Sequence, residues 1–168
     1  RALISSQCDP VVVVVGAQRD EIIQELHGLA VTLADNTDWQ AGMSSSISVG
    51  LVALLRMKAD IDGVVIALCD QPFVSSRSIN KLIDAFGQNP SSIVSASYND
   101  INGVPALFAA NMFPELRALT GDKGARSMIR NCRDVTAVDM PEASFDIDTV
   151  DDVRRADDFN AVQLQDRI

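Results

Sequence analysis

The sequence predicts an α/β layer fold with a mostly parallel sheet flanked by helices. Short β-branched runs alternate with longer runs whose apolar residues recur at helical spacing. Two of the short runs, Val11 to Val15 and Val64 to Cys69, are apolar throughout, the pattern of strands buried on both faces. Gly16, Gly28, Gly87 and Pro90 punctuate the junctions.

The elements follow in order. Pro10 opens the first strand and Gly16 ends it. Ile22, Ile23 and Leu26 mark a helix with Asp20 and Glu21 in its first turn, stopped at Gly28. Ala30 to Ala34 reads as a strand, and Ser44 to Lys58 as a helix with Ile47, Leu51, Leu54 and Leu55 on one face and a serine-rich start that can cap exposed amides. Asp62-Gly63 turns into the strand Val64 to Cys69, and Ile79, Leu82, Ile83 and Phe86 define the next helix. Ile93 to Ser97 and Ala106 to Ala109 read as strands around a polar turn over 99–103. Two short helices, Asn111 to Leu119 and Ala125 to Asn131, precede a strand at Val135 to Val138 and a last helix after Thr149, with the final residues expected to fray.

At 168 residues the chain suits one domain, residues 1–168, large enough to bury a core. Its net charge of −9 offers a nucleic-acid backbone little attraction, so no nucleic-acid partner is expected. The negative field gathers over residues 134–168, where ten acidic residues meet three arginines. Cys8, Cys69 and Cys132 are widely spaced and form no metal-binding pattern, which reads as reduced thiols of a cytoplasmic protein. No apolar run reaches the roughly 18 residues of a membrane span, and no signal peptide is visible. The chain opens at Arg1 on what reads as the last turns of a helix, Ala2-Leu3-Ile4, as a piece of something longer would.

Several segments can carry chemistry. Leu68-Cys69-Asp70-Gln71-Pro72 places an acid at the carboxyl end of an apolar strand, the edge at which parallel sheets bind ligands. A carboxylate there suits Mg²⁺, although Asp70 can equally turn the chain before Pro72. Asp146-Ile147-Asp148-Thr149 forms a second such edge, where alternation aims both acids the same way. Thr149 and Asp152 match a capping box, which accounts for Thr149, Asp151 and Asp152 but leaves Asp148 unexplained. Gly42-Met43-Ser44-Ser45-Ser46 leads a glycine turn into a helix start that can bind an anion or a base edge, or simply cap the helix. Gly103-Val104-Pro105-Ala106 permits close backbone approach or serves a turn, and Thr120 to Arg126 sets two cations beside two glycines, a phosphate clamp or an exposed loop. His27 reads as a surface residue at a helix end.

Five motifs in one order, G-M-S-S-S at 42–46, C-D-Q-P at 69–72, G-V-P-A-L-F at 103–108, G-D-K-G-A-R at 121–126 and D-I-D-T at 146–149, make the chain resemble the MobA-like nucleotidyltransferases. It is most similar to their molybdenum cofactor cytidylyltransferase (MocA-type) branch. The resemblance implies a Rossmann-like nucleotidyltransferase fold that moves CMP from CTP to the phosphate of molybdopterin and releases pyrophosphate. It implies Asp70 and Asp148 as the Mg²⁺-side carboxylates, Gly42, Met43, Ser44, Ser45 and Ser46 beside the nucleobase, and Gly103, Pro105, Asp122 and Arg126 on the acceptor side. A client molybdoenzyme would receive the product.

The family's glycine-rich L-A-A-G-x-S-x-R-M-G-x-x-K loop is not in this sequence. The domain is therefore expected to lack its N-terminal strand and triphosphate-binding loop. The attacking group, a phosphate monoester, is already largely dianionic at neutral pH, so positioning and charge neutralisation would do the catalysis. The alternatives are transfer from GTP or to another phosphorylated acceptor, and a non-catalytic molybdenum cofactor carrier or maturation protein.

Overall fold

A computed structural model describes residues 1–149 and 151–156. In chain order these form β1 (Val12–Val15), α1 (Arg19–Glu25), β2 (Thr32–Asp35), α2 (Met43–Met57), β3 (Gly63–Ile66), α3 (Ser76–Gln88), β4 (Ile93–Tyr98), β5 (Ile101–Ala109), α4 (Phe113–Arg117), α5 (Ala125–Asn131) and β6 (Val135–Asp139). The expected last helix is present over residues 151–156, and the expected fraying beyond it lies outside the described residues. Residues 2–7 make turns, with the Ser5 amide donating to the Arg1 carbonyl over 3.1 Å.

The α/β class holds, with helices flanking the sheets, and the strands are mostly parallel, with β5 alone running against its neighbours. β1 and β2 form a parallel pair, and the other four strands run in the order β3-β5-β4-β6. β6 lies parallel to β4, whereas β5 lies antiparallel to both β3 and β4. The cause is the turn between β4 and β5. Asn99 and Asp100 sit at φ 48° and 60°, the two-residue left-handed turn that reverses a chain tightly and that asparagine and aspartate tolerate. The chain therefore returns beside itself, and Ile101 to Gly103, which read as part of the turn, extend the strand.

Burial also departs from the sequence pattern. Of β1 only Val15 is buried, and all of β3 is half-buried. Among the described residues β1 pairs only with β2, and β3 only with β5, so each leaves one edge without a hydrogen-bonded neighbour there. Helix α2 covers both pieces: Gly50 lies against Val14, while Leu51, with Ile47 and Leu55, packs into the main core beside Val64 and Ile66.

That core sits on one face of the four-stranded sheet. Val104, Ala106 and Phe108 of β5 face Leu51, Leu116, Met128 and Ile129, while the intervening Leu107 turns to the other face with Leu82, Val94, Ala96 and Met140. Helix α3 starts with a capping box. The Ser78 amide donates to Ser75 Oγ, the Ser75 amide donates to Ser78 Oγ, and the Ser78 hydroxyl donates to Glu142 Oε1 at 2.7 Å. That bond ties the start of α3 to the segment leading to Asp146.

Candidate active site

Asp70 follows β3 at its carboxyl end, where the apolar run stops. The Ile147 amide donates to the Asp70 carbonyl at 2.8 Å, so the 145–148 segment lies against that strand end. Phe73 and Phe145 meet edge to face with ring centres 5.2 Å apart and close the same junction. Asp146 is thereby brought to Asp70, and each carboxylate has one oxygen, Oδ1, that is buried without a hydrogen-bond partner. Burial pushes the Asp70 carboxyl above the ordinary aspartate range, and the charges of Asp146 and, more weakly, Asp148 push it further, against its own backbone amide and Arg126.

Asp146 and Asp148 do not share an environment. Residues 145–148 are irregular rather than strand, Asp146 is half-buried, and Asp148 is exposed. The expected capping box forms just beyond: the Thr149 amide donates to Asp152 Oδ2 at 2.8 Å, and the Asp152 amide donates to Thr149 Oγ1 at 3.3 Å. The Asp148 amide joins it at 3.2 Å. Hydrogen bonding by Thr149, with Arg155, pulls the Asp152 carboxyl down to about 2. Strand alternation would aim both acids the same way, and the resemblance gives the metal role to Asp148; the segment is not a strand, and it is Asp146 that lies deeper.

The G-V-P-A motif is a bulge. Ser95 pairs with Ala106 and Ala96 with Gly103, so Val104 and Pro105 stand outside the ladder. Proline has no amide to give a ladder, which suits Pro105 to that place. Both residues are buried. The freed Val104 carbonyl accepts from Gln71 Nε2 at 3.1 Å and from the Tyr98 hydroxyl at 3.3 Å. Gly103 lies so close under that hydroxyl that a Cβ there would overlap it. Arg126 Nη2 in turn donates to Tyr98 Oη at 3.3 Å and stands 3.9 Å from Asp146 Oδ2. The bulge thus holds Tyr98 and, through it, the arginine of the G-D-K-G-A-R motif, which reaches Asp146 and is half-exposed.

The G-M-S-S-S motif starts α2 and grips the 121–124 loop. Gly42 sits at φ 102°, and a Cβ there would come within 2.5 Å of the Gly121 backbone and 2.7 Å of Asp122 Oδ1, so only glycine allows this approach. Ser44 is buried and donates its hydroxyl to the Gly121 carbonyl at 2.7 Å, and Met43 covers Gly124. Ser44 therefore faces the loop and not an open surface. Asn36, buried after β2, donates to the hydroxyls of Ser45 at 2.8 Å and Ser46 at 2.9 Å. Its Oδ1 accepts the Asp38 amide at 3.1 Å. Sequence reasoning missed Asn36, a lone polar residue after a short strand. Asp122 is exposed on the loop, as is His27 at the end of α1.

Among the described residues no three acidic, histidine or cysteine side chains group closely enough to cage a metal by themselves. Two carboxylates with free oxygens next to a half-exposed arginine instead suit a hard divalent cation that takes its remaining ligands from water and a substrate's phosphates. Carboxylates at the carboxyl edge of a layered α/β fold, beside an arginine, are compatible with nucleotidyl transfer. The chain belongs to the MobA-like NTP transferase domain family, which matches residues 1–137. The match ends before Asp146.

Among known proteins, the chain is 28% identical to nicotine blue oxidoreductase of Paenarthrobacter nicotinovorans over 159 residues, covering 88% of this chain and 75% of that protein. It is 33% identical to purine catabolism protein PucB of Bacillus subtilis over 94 residues, 56% of this chain and 43% of that protein. Among solved structures, Rv0371c of Mycobacterium tuberculosis in complex with manganese is 30% identical over 88% of this chain and 76% of its own, with a TM-score of 0.69. The layered fold is shared with solved nucleotidyltransferases. No helix among the described residues is long and apolar enough to cross a membrane.

Proposed function

We propose that the protein transfers CMP from CTP to the phosphate of molybdopterin with release of pyrophosphate, using Mg²⁺ held by Asp70 and Asp146. The observation that carries the metal site is the pair of buried, unpartnered oxygens, Asp70 Oδ1 and Asp146 Oδ1. Leaving two charged acceptors bare is costly unless a cation meets them. When bound, Mg²⁺ supplies charge neutralisation at the phosphate oxygens. Asp148 stands on the exposed rim and adds to the negative field. Arg126 binds the acceptor phosphate and holds Asp146 in place.

Cytidine is favoured by the resemblance of residues 42–46 to the cytidylyltransferase branch. Met43, 49% exposed, and Trp39, 45% exposed, offer apolar surface for the base at the start of α2. Ser45 and Ser46, oriented by Asn36, define its polar side. Gly42 and Ser44 serve through the loop they hold, which carries Asp122 towards the acceptor side together with Gly103 and Pro105.

The open edges of β1 and β3 support one further part of this reading, that a strand and a triphosphate-binding loop supplied by additional chain complete the domain. Both strands have the sequence of fully buried ones and gain that burial only with another neighbour. The experiment is a panel of nucleoside triphosphates with molybdopterin as acceptor, read by pyrophosphate release from the full-length protein. Preference for CTP supports the proposal, and equal or better turnover with GTP overturns the base assignment.

A further inference from the structure

Gln71 has no role in the chemistry above, yet it joins the three segments that build the site. It follows Asp70 directly, is 4% exposed, and donates both amide hydrogens, one to the Val104 carbonyl at 3.1 Å and one to the Ala143 carbonyl at 2.8 Å. The amide has one possible orientation, because a flip would set Oε1 against two carbonyl oxygens. Val104 belongs to the bulge that also anchors Tyr98 and, through it, Arg126. Ala143 is fully buried and lies three residues before Asp146.

A side chain present only to fill space would not be this one. Gln71 Oε1 is buried without a partner, a defect that leucine or methionine would not bring. Nor is Gln71 needed to satisfy the Val104 carbonyl, which already accepts from Tyr98. Its distinctive property is reach: one rigid amide fixes the distance from the backbone beside Asp70 to the backbone leading to Asp146.

We propose that Gln71 is a positioning residue that holds Asp70 and Asp146 at the spacing one divalent cation requires, acting through the Val104 and Ala143 carbonyls. The inference rests on the reading of Asp70 and Asp146 as a metal pair, and its test separates the two. Mn²⁺ alone is titrated into the full-length protein and followed by electron paramagnetic resonance, with melting temperature measured in parallel. Asp70→Asn tests the pair: unchanged Mn²⁺ affinity there overturns the metal reading and this inference with it.

Gln71→Met keeps the shape and removes both donors, and it should weaken Mn²⁺ binding by about tenfold, the scale on which residues that orient metal ligands act. Its bound Mn²⁺ spectrum should change towards that of Asp146→Asn. In the double variant Gln71→Met with Asp146→Asn, the two losses should fail to add, because the brace acts through the carboxylate it places. Gln71→Asn keeps the amide but is one methylene too short to bridge both carbonyls and carries the same expectation, so the test survives if Gln71→Met does not fold. If Asp70→Asn loses Mn²⁺ while the Gln71 variants keep wild-type affinity and spectrum, or if the double variant is additive, Gln71 is a structural residue only.

Discussion

Arg126 Nη2 stands 3.9 Å from Asp146 Oδ2, while the other oxygen of the same carboxylate is buried with no partner. One face of Asp146 thus meets a cation of the protein, and the other stands bare, as the proposed metal site requires. Both groups are partly exposed, so the ion pair adds little stability and its importance lies in orientation.

Replacing Arg126 should therefore injure function more than folding. Arg126→Met is expected to raise KM for the phosphorylated acceptor by about tenfold to a hundredfold, the loss of a charge-assisted hydrogen bond of roughly 1.5–3 kcal/mol. Arg126→Lys keeps the charge without the planar fork and should recover only part of it. The melting temperature of both should stay close to wild type.

Asp70 should show the opposite balance. Its carboxyl is held above the ordinary range by burial and by neighbouring carboxylates, so the folded state favours the protonated form. Ionising Asp70 therefore costs stability as the pH rises from the ordinary value of 3.8 through its raised folded pKa. Asp70→Asn should raise the melting temperature in the absence of divalent metal, while transfer falls by orders of magnitude. A lower melting temperature with activity retained would contradict both halves.

Ser45 and Ser46 share one partner, so their substitutions are linked. Changing both to alanine removes two acceptors of the Asn36 amide, which is 2% exposed. The expected result is a destabilisation of about 1–3 kcal/mol from the unpartnered buried donor, measured by denaturant unfolding. CTP binding should weaken by about 1 kcal/mol for each neutral hydrogen bond lost. Unchanged CTP affinity would reduce the two serines to holding Asn36.

The cap at Thr149 gives a pH signature. The Asp152 carboxyl is depressed to about 2, chiefly by its Thr149 hydrogen bonds and also by Arg155. Its contribution is fully present above the ordinary value of 3.8 and is lost as the pH falls from about 4 to about 2. Hydrogen exchange over residues 147–156 should accelerate through that window, and Asp152→Asn should remove the dependence.

Much of this was legible in the sequence where local rules act alone. Helix α5 spans Ala125–Asn131 as its periodicity predicts, and Thr149 with Asp152 forms the capping box its spacing suggests, with aspartate in the usual place of glutamate. Asp70 stands at a strand end because the apolar run must stop where the chain meets solvent. Long-range partnership was not legible. Nothing local states that Val104 and Pro105 bulge out of β5, that Asn99 and Asp100 rather than Gly103 make the turn, or that β5 inserts between β3 and β4. Asn36, Gln71 and Tyr98 act through partners distant in the chain or on other elements, and a lone polar residue gives no sign of such a partner.

In the proposed site Asp70 and Asp146, 76 positions apart in the sequence, form the metal side. The most direct measurement compares pyrophosphate release from CTP, with Mg²⁺ and molybdopterin, by full-length wild type, Asp146→Asn and Asp148→Asn. Asp146→Asn should lose orders of magnitude of activity, and the exposed Asp148→Asn much less. Full activity in Asp146→Asn, or a greater loss in Asp148→Asn, would contradict this assignment.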